Sequence, residues 1–209
     1  TNIMGATKRI AEIYCQSLGK NTSTKFITTR FGNVLDSNGS VIPRFKKQIE
    51  DGGPVTVTHP EITRFFMTIP EACQLVLEAG SFGKGGEIYI FNMGRSVRIL
   101  DLAKKMIQLA GLKEGKDIQV TFTGLRPGEK IYEELLADSE TTLATHHEKI
   151  MIAKVREYDF KVIEKEIDEL IGLFKDQRND QIVAKMKSIV PEYISANSIY
   201  VSLDTPQLQ

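Results

Sequence analysis

An excess of charge of either sign is missing from this chain: Lys+Arg and Asp+Glu each total 27 over 209 residues. That balance excludes a broad basic face for nucleic acid or an anionic membrane, so any anion site has to be local. Cysteine is nearly missing as well. Cys15 and Cys73 fall in helical patterns without metal-ligand spacing and read as buried, reduced thiols, which fits a reducing compartment. No apolar run approaches the roughly 20 residues that a membrane span requires, and no charged-then-apolar leader opens the chain. Internal repeats and low-complexity linkers are missing too. What is present, 41% hydrophobic and 26% charged residues, suffices for a sizeable core. Thr1 leads straight into a helical pattern, as expected of a sequence that begins within a longer gene product.

Apolar residues at Ile3, Ala6, Ile10, Ile13, Tyr14 and Leu18 recur at helical spacing and stop at Gly19. Lys25 to Phe31 is rich in β-branched and aromatic residues and reads as a strand, followed by a Gly/Asn/Asp/Ser loop from Gly32 to Ser40. A helix from about Val41 to Glu50 precedes short strands at Val55 to Thr58 and Thr63 to Met67. Pro70 suits the first turn of a helix ending near Gly80, and Glu87 to Phe91 is a strand. The next helix carries Ile99, Leu102, Ala103, Met106, Ile107 and Ala110 on one face, with Ser96 as its cap and Gly111 as its stop. Strands follow at Ile118 to Thr123 and Lys149 to Val155, with a short helix through Tyr132 to Leu136 and an irregular stretch around His146 between them. Helices then run from Phe160 to Phe174 and from Ile182 to Val190, and the stretch after Pro191 has no periodicity, as in a mobile tail. Alternating strands and helices make this an α/β chain. No glycine-rich dinucleotide turn follows a strand, because the cluster Gly80 to Gly86 follows a helix.

Met4 and Lys8 lie one helical turn apart and share a face. With tyrosine at the first position, that spacing lets the lysine lower a phenol pKa for proton transfer. Alone, it describes an ordinary solvated lysine. Asn33 is an amide just past a strand end, where it either makes a turn or meets a ligand. Ser40 and Val41 open a helix, and the free N–H groups there can hold phosphate. The strongest local string is Gly124-Leu-Arg-Pro-Gly-Glu-Lys130. Arg126 precedes proline, which biases it to extended backbone, and its guanidinium fork matches a pyrophosphate. The adjacent His146 and His147 have no third ligand at metal spacing, so no metal is expected.

Read together, these strings resemble the extended short-chain dehydrogenases that act on nucleoside-diphosphate sugars, the epimerase/dehydratase family. Asn2-Ile-Met-Gly-Ala-Thr-Lys-Arg-Ile-Ala-Glu12 resembles the catalytic helix, with methionine at the usual tyrosine position. Arg30-Phe-Gly-Asn-Val34, Ser37-Asn-Gly-Ser-Val-Ile-Pro-Arg-Phe45, Val55 to Thr68 and the Arg126 string follow in the family's order. The family's usual form of the second loop has glycine where this chain has Asp36, a residue less at ease in left-handed backbone.

The resemblance runs from Thr1 to about Val155. It is nearest to the C-terminal half of the large membrane-anchored UDP-N-acetylglucosamine 4,6-dehydratases of bacterial capsule and O-antigen synthesis, as Thr145 to Lys154 and Met4 both indicate. It implies the C-terminal part of a Rossmann-type fold, residues 1–40 and about 86–95, and a smaller nucleotide-sugar-binding domain, about 41–85 and 96–190, before a tail at 191–209. It also implies roles: Met4 and Lys8 in the catalytic helix, Lys8 on an NAD or NADP cofactor, Asn33, Arg64 and Arg126 on a UDP-sugar diphosphate, Ser40 and Val41 beside the base, and Glu129 on ribose hydroxyls. Substrate would be converted to a 4-keto-6-deoxy sugar with the hydride recycled. Methionine cannot move a proton, and the family's Thr-Asp-Lys group and cofactor turn precede the matching strings, so these residues alone are expected to be inactive. A 4-epimerase, a dehydratase with 5-epimerisation and a noncatalytic nucleotide-sugar binding module remain alternatives. The implied setting is the cytoplasmic side of an inner membrane, with an anchor outside these residues, no membrane contact of their own, no nucleic acid, and a homo-oligomer left open.

Overall fold

Asn2 starts the first helix by accepting a hydrogen bond from the Gly5 N–H at 2.7 Å, which satisfies one of the free donors of the opening turn. In the computed structural model, which describes residues 1–133 and 141–204, the chain then forms α1 (Ile3–Gly19), β1 (Thr28–Arg30), β2 (Asn33–Val34), α2 (Val41–Glu50), β3 (Val55–Val57), β4 (Thr63–Arg64), β5 (Phe66–Met67) and α3 (Ile69–Phe82). It continues through β6 (Ile88–Phe91), β7 (Val97–Arg98), α4 (Ile99–Leu109), β8 (Val120–Phe122), β9 (Thr141–Ala144), β10 (Ile150–Lys154), α5 (Phe160–Leu173) and α6 (Asn179–Ile189). The α/β class expected from the alternating pattern is what the chain adopts.

Three packing regions organise these elements. The main sheet has the order β1-β6-β10-β9, with β1 parallel to β6 and both later pairings antiparallel. Every residue of β6 is buried, which explains why Ile88 to Phe91 reads as an unbroken apolar run rather than an alternating one. Ala72, Leu75 and Ala79 of α3 cover Tyr89 and Phe91 on one face. In the second region, α1 packs Ala6, Ile10 and Ile13 against Ile163 and Leu170 of α5 and Ile182, Val183 and Met186 of α6. The third joins the parallel pair β3 and β8 to α2 and α4 through Phe45, Ile49, Val55, Val57, Ala103 and Ile107.

A charged fork ties the second region to the first. Glu12 on α1 accepts from Arg30 Nε at 2.8 Å and Nη2 at 2.7 Å, while Arg9 reaches the same carboxylate at 3.1 Å. The bidentate geometry fixes the end of β1 against α1 and so aims the Gly32–Asn33 turn.

Several elements differ from the sequence pattern, each because a partner decides. Thr63 to Met67 is not one strand: β4 pairs antiparallel with β7 and β5 pairs parallel with β2, with Phe65 between them. Ser96 does not cap α4. It is exposed, β7 intervenes, and Arg98 precedes the helix without a side-chain cap. The polar string Thr141 to Ala144 is a strand because β10 offers it a ladder. Cys73 is exposed on α3 and Cys15 is half-buried, so neither is the buried thiol expected. α3 and β10, expected with residues 41–85 and 96–190, pack into the same sheet region as β1 and β6 of the expected Rossmann part. The expected tail is built into the fold up to Asp204: Tyr193 and Ser195 are buried, and Ile199–Leu203 makes a 3-10 turn. The expected helix end at 134–136 and the last five residues, 205–209, lie outside the described residues. Among the described residues, no helix is long and apolar enough to cross a membrane.

Candidate functional site

Where the β3–β8 region meets the β2–β5 pair, a cavity of ≈ 280 Å³ opens. Asn33, Ser40, Val41, Arg64, Arg126 and Glu129 all line it, together with Arg44, Thr56 and Thr58. Residues separated by almost a hundred positions thus share one cavity.

The loop before α2 delivers Ser40 and Val41. Asp36 takes φ 58°, the left-handed conformation that glycine would adopt with less strain, so the departure from the family's glycine leaves that backbone conformation in place. Ser40 stands at the N-cap of α2, yet its hydroxyl makes no capping bond and has no partner among the described residues, although it is buried. An N-cap serine ordinarily accepts from its own helix. Here the hydroxyl is left for whatever enters the cavity.

Glu129 is the centre of the opposite wall. Its carboxylate accepts from Thr58 Oγ1 at 3.1 Å and from the Arg126 N–H at 3.0 Å, and it faces Arg64 Nη2 at 3.5 Å. Arg64 also donates to the Thr63 carbonyl at 2.7 Å and the Ile131 carbonyl at 3.3 Å. These bonds hold one arginine rigidly at the cavity edge. The guanidinium of Arg126, in contrast, is exposed and without a protein partner among the described residues. Glu129 therefore orients the loop that carries Arg126 while the cationic fork itself stays free for an anion.

Arg44 was not singled out by its sequence. It projects from the first turn of α2, where an arginine is commonly only a surface charge, and donates to the Thr56 carbonyl at 2.7 Å. Its Nε is buried without a partner. Burial first, and then the charge of Arg126, hold its pKa below the ordinary guanidinium value, while Glu129 acts in the opposite direction. An anion beside Arg44 would relieve that repulsion. Glu133 was also missed, because the string around it reads as a helix. Its carboxylate accepts from Asn33 Nδ2 and from the Phe65 N–H, both at 3.4 Å, and so orients the Asn33 amide.

Met4 and Lys8 are not part of this cavity. They stand on the exposed face of α1, Met4 at 65% exposure. Lys8 has no partner among the described residues. His59 uses Nδ1 to accept the Glu61 N–H at 3.1 Å, a loop role, and His146 leans on Glu78 and the Phe82 ring. Among the described residues no group of His, Cys, Asp and Glu is placed to hold a metal.

Residues 1–155, three quarters of the chain, match the family model described as "Polysaccharide biosynthesis protein". The chain belongs to that polysaccharide biosynthesis family. It is 54% identical over 179 residues to the capsular polysaccharide biosynthesis protein CapD of Staphylococcus aureus, covering 85% of this chain and 30% of the relative. The probable polysaccharide biosynthesis protein EpsC of Bacillus subtilis is 54% identical over 168 residues, 80% of this chain and 28% of the relative. A UDP-glucose 4-epimerase of Rickettsia canadensis is 36% identical over 146 residues, 68% of this chain and 41% of the relative. The chain thus spans less than a third of the length of the first two relatives. Among solved structures, Pen from Bacillus thuringiensis superimposes with a TM-score of 0.62 at 38% identity, over 71% of this chain and 46% of that one. A dTDP-glucose 4,6-dehydratase from Bacillus anthracis, solved with NAD, gives 0.52 at 19% identity, over 60% of this chain and 41% of that one, a likeness of fold. The chain is accordingly similar in sequence to a UDP-glucose 4-epimerase and shares the Rossmann-type fold of a nucleotide-sugar dehydratase.

Proposed function

We propose that these residues form the nucleotide-sugar grip of an NAD(P)-dependent UDP-N-acetylglucosamine 4,6-dehydratase that serves bacterial polysaccharide synthesis on the cytoplasmic side of the membrane. The observation that carries this reading is the loop bearing Arg126. Its backbone is bonded to Glu129, Glu129 is bonded to Thr58 and faces Arg64, and the Arg126 fork opens beside the unpartnered Arg44 Nε and Ser40 hydroxyl. A diphosphate supplies acceptors for the Arg126 fork and the Arg44 Nε. We assign Val41 and Ser40, at the start of α2, to the base, and Asn33, oriented by Glu133, to the diphosphate.

Glu129 is already engaged by Thr58, Arg64 and its own loop, which favours a brace that leaves its remaining lone pairs to ribose. Lys8, an uncommitted ammonium on an exposed helix face, fits a contact to the ribose of a nicotinamide cofactor, and it is the cofactor contact these residues offer. When bound, that cofactor would take up and return the hydride. Met4 has a thioether with no exchangeable proton, so the acid and base of such a reaction have to come from residues other than the α1 pair.

Calorimetry with UDP-N-acetylglucosamine tests the grip. Arg126→Ala is expected to weaken binding by about 1.5–3 kcal/mol, the scale of hydrogen bonds to a charged group. Unchanged affinity would remove Arg126 from the site. For the reaction, the longer gene product with NAD(P) is expected to release a 4-keto-6-deoxy sugar. Recovery of only the C4 epimer would favour the 4-epimerase reading that the Rickettsia relative suggests. Binding with no turnover in the longer product would favour a noncatalytic module.

A further inference from the structure

We propose that the segment from Lys187 to Asp204, which lies beyond the family match, is a strap that positions the Arg126 loop. The proposal rests on the reading of the cavity as a diphosphate site. Lys187 lies in the last turn of α6 with only 8% of its surface exposed. Its ammonium donates to the Tyr193 carbonyl at 3.2 Å and to Ser195 Oγ at 2.8 Å, pairs with Asp204, and lies 4.0 Å from the centre of the Tyr193 ring. Asp204 also accepts from the Ser195 N–H at 3.0 Å. All three ammonium donors are committed, so the charge closes residues 193–204 into one loop.

The apex of that loop is Ala196 and Asn197, and it is docked on the arginine loop. The Ala196 carbonyl accepts from the Gly128 N–H at 2.7 Å, and the Ala196 N–H donates to the Thr1 carbonyl at 3.3 Å. Asn197 takes φ 48°, a left-handed turn that asparagine tolerates and β-branched residues resist, and its amide lies 3.5 Å from the Leu125 carbonyl. On the other side of Gly128, Thr1 Oγ1 and Asn2 Nδ2 donate to its carbonyl at 2.9 Å and 3.1 Å. Gly128 itself has φ 74°, and a Cβ there would collide with Asn2 and lie 2.8 Å from the Thr1 carbonyl oxygen. Its neighbour Glu129 holds the Arg126 N–H. A shift at Gly128 is therefore a shift of the cationic fork. Lys187, Asp204 and Asn197 act on the ligand through this loop and are positioning residues.

Hydrogen exchange of residues 124–130 without ligand reads the strap directly, and UDP and uridine affinities read its consequence. Asn197→Val and Lys187→Met are expected to speed exchange at Gly128 by roughly five- to tenfold, the loss of about one hydrogen bond, with α4 unchanged. UDP affinity should fall by roughly three- to tenfold on the same scale, while uridine, which lacks the phosphates, should bind as before. Asn197→Gly, which keeps the left-handed turn, should restore both. Unchanged exchange in Asn197→Val overturns the strap, as does faster exchange with unaltered UDP affinity when Arg126→Ala does weaken UDP. If Arg126→Ala leaves UDP binding intact, the diphosphate reading falls and the exchange result alone decides whether the strap holds the loop.

Discussion

The cavity wall and the exposed face of α1 differ in how their polar side chains are held. Around the cavity, Glu129 joins Thr58, Arg64 and the Arg126 backbone, so Arg64 and the loop that carries Arg126 are held before any ligand arrives. On α1, Met4 and Lys8 share an exposed helix face, and neither side chain has a hydrogen-bond or ionic partner among the described residues. Preorganised donors add to affinity because their ordering cost is met during folding, whereas a solvated lysine has still to be ordered. On the proposed reading, the cavity side of the chain serves to hold a nucleotide, and α1 adds no group that moves a proton.

The largest test of this contrast is in the cores behind each region. Ile13→Ala beneath α1 and Ile107→Ala beneath the cavity both remove a side chain with 0% exposure, and each should cost about 2–5 kcal/mol in a denaturant melt. Only Ile107→Ala should also lower UDP affinity in the folded protein. Ile13→Ala should leave it within about twofold, as expected of distant sites. Equal effects on binding would erase the distinction.

Next in size, Glu129→Ala should weaken UDP binding by about 1.5–3 kcal/mol, because it releases Arg64 and the Arg126 loop together. Titration of UDP into that variant decides whether Glu129 is a brace. Ser40→Ala should cost about 0.5–1.5 kcal/mol, the net worth of one hydrogen bond, with little change in melting temperature because the hydroxyl caps nothing. Lys8→Ala should leave UDP affinity unaltered and lower affinity for NAD(P) in the longer gene product, as separate titrations would reveal.

The smallest effect concerns pH. Burial works to raise the Asp204 pKa, but the Lys187 hydrogen bond and the Ser195 N–H outweigh it and hold the group below its ordinary 3.8. A depressed carboxylate contributes stability that is present above the unfolded value and lost as pH falls through the folded one. Exchange protection of residues 124–130 should therefore be flat from pH 8 to pH 5, after correction for intrinsic exchange, and fall only in stronger acid.

Local pattern carried much of the architecture. The helix from Val41 to Glu50 has the bounds its periodicity suggests, and α1 ends at Gly19 where the apolar spacing stops. Both are amphipathic helices whose signals lie within a few turns. The six residues expected on a nucleotide sugar were legible from short strings and do line one cavity. Arg44 and Glu133 were not legible, since neither has a sequence context that distinguishes it from a helix-surface charge. Their significance comes from an Nε with no partner and from an Asn33 amide one hundred positions away. Thr141 to Ala144 likewise lacks a strand's apolar alternation and becomes one only beside β10.

By itself, then, the sequence determined the long amphipathic helices, the buried strand Ile88–Phe91 and the order of the strings that line the cavity, because those follow from side-chain periodicity, turn residues and donor chemistry over short spans. Tertiary structure alone decided which polar atoms are satisfied. It committed Glu129 to its neighbours, left the Ser40 hydroxyl and the Arg44 Nε open, and used a lysine at position 187 to fold the final segment onto the Arg126 loop. Hydrogen-bond satisfaction is a property of a three-dimensional neighbourhood, and residues 128 and 196 become neighbours only when the chain has folded.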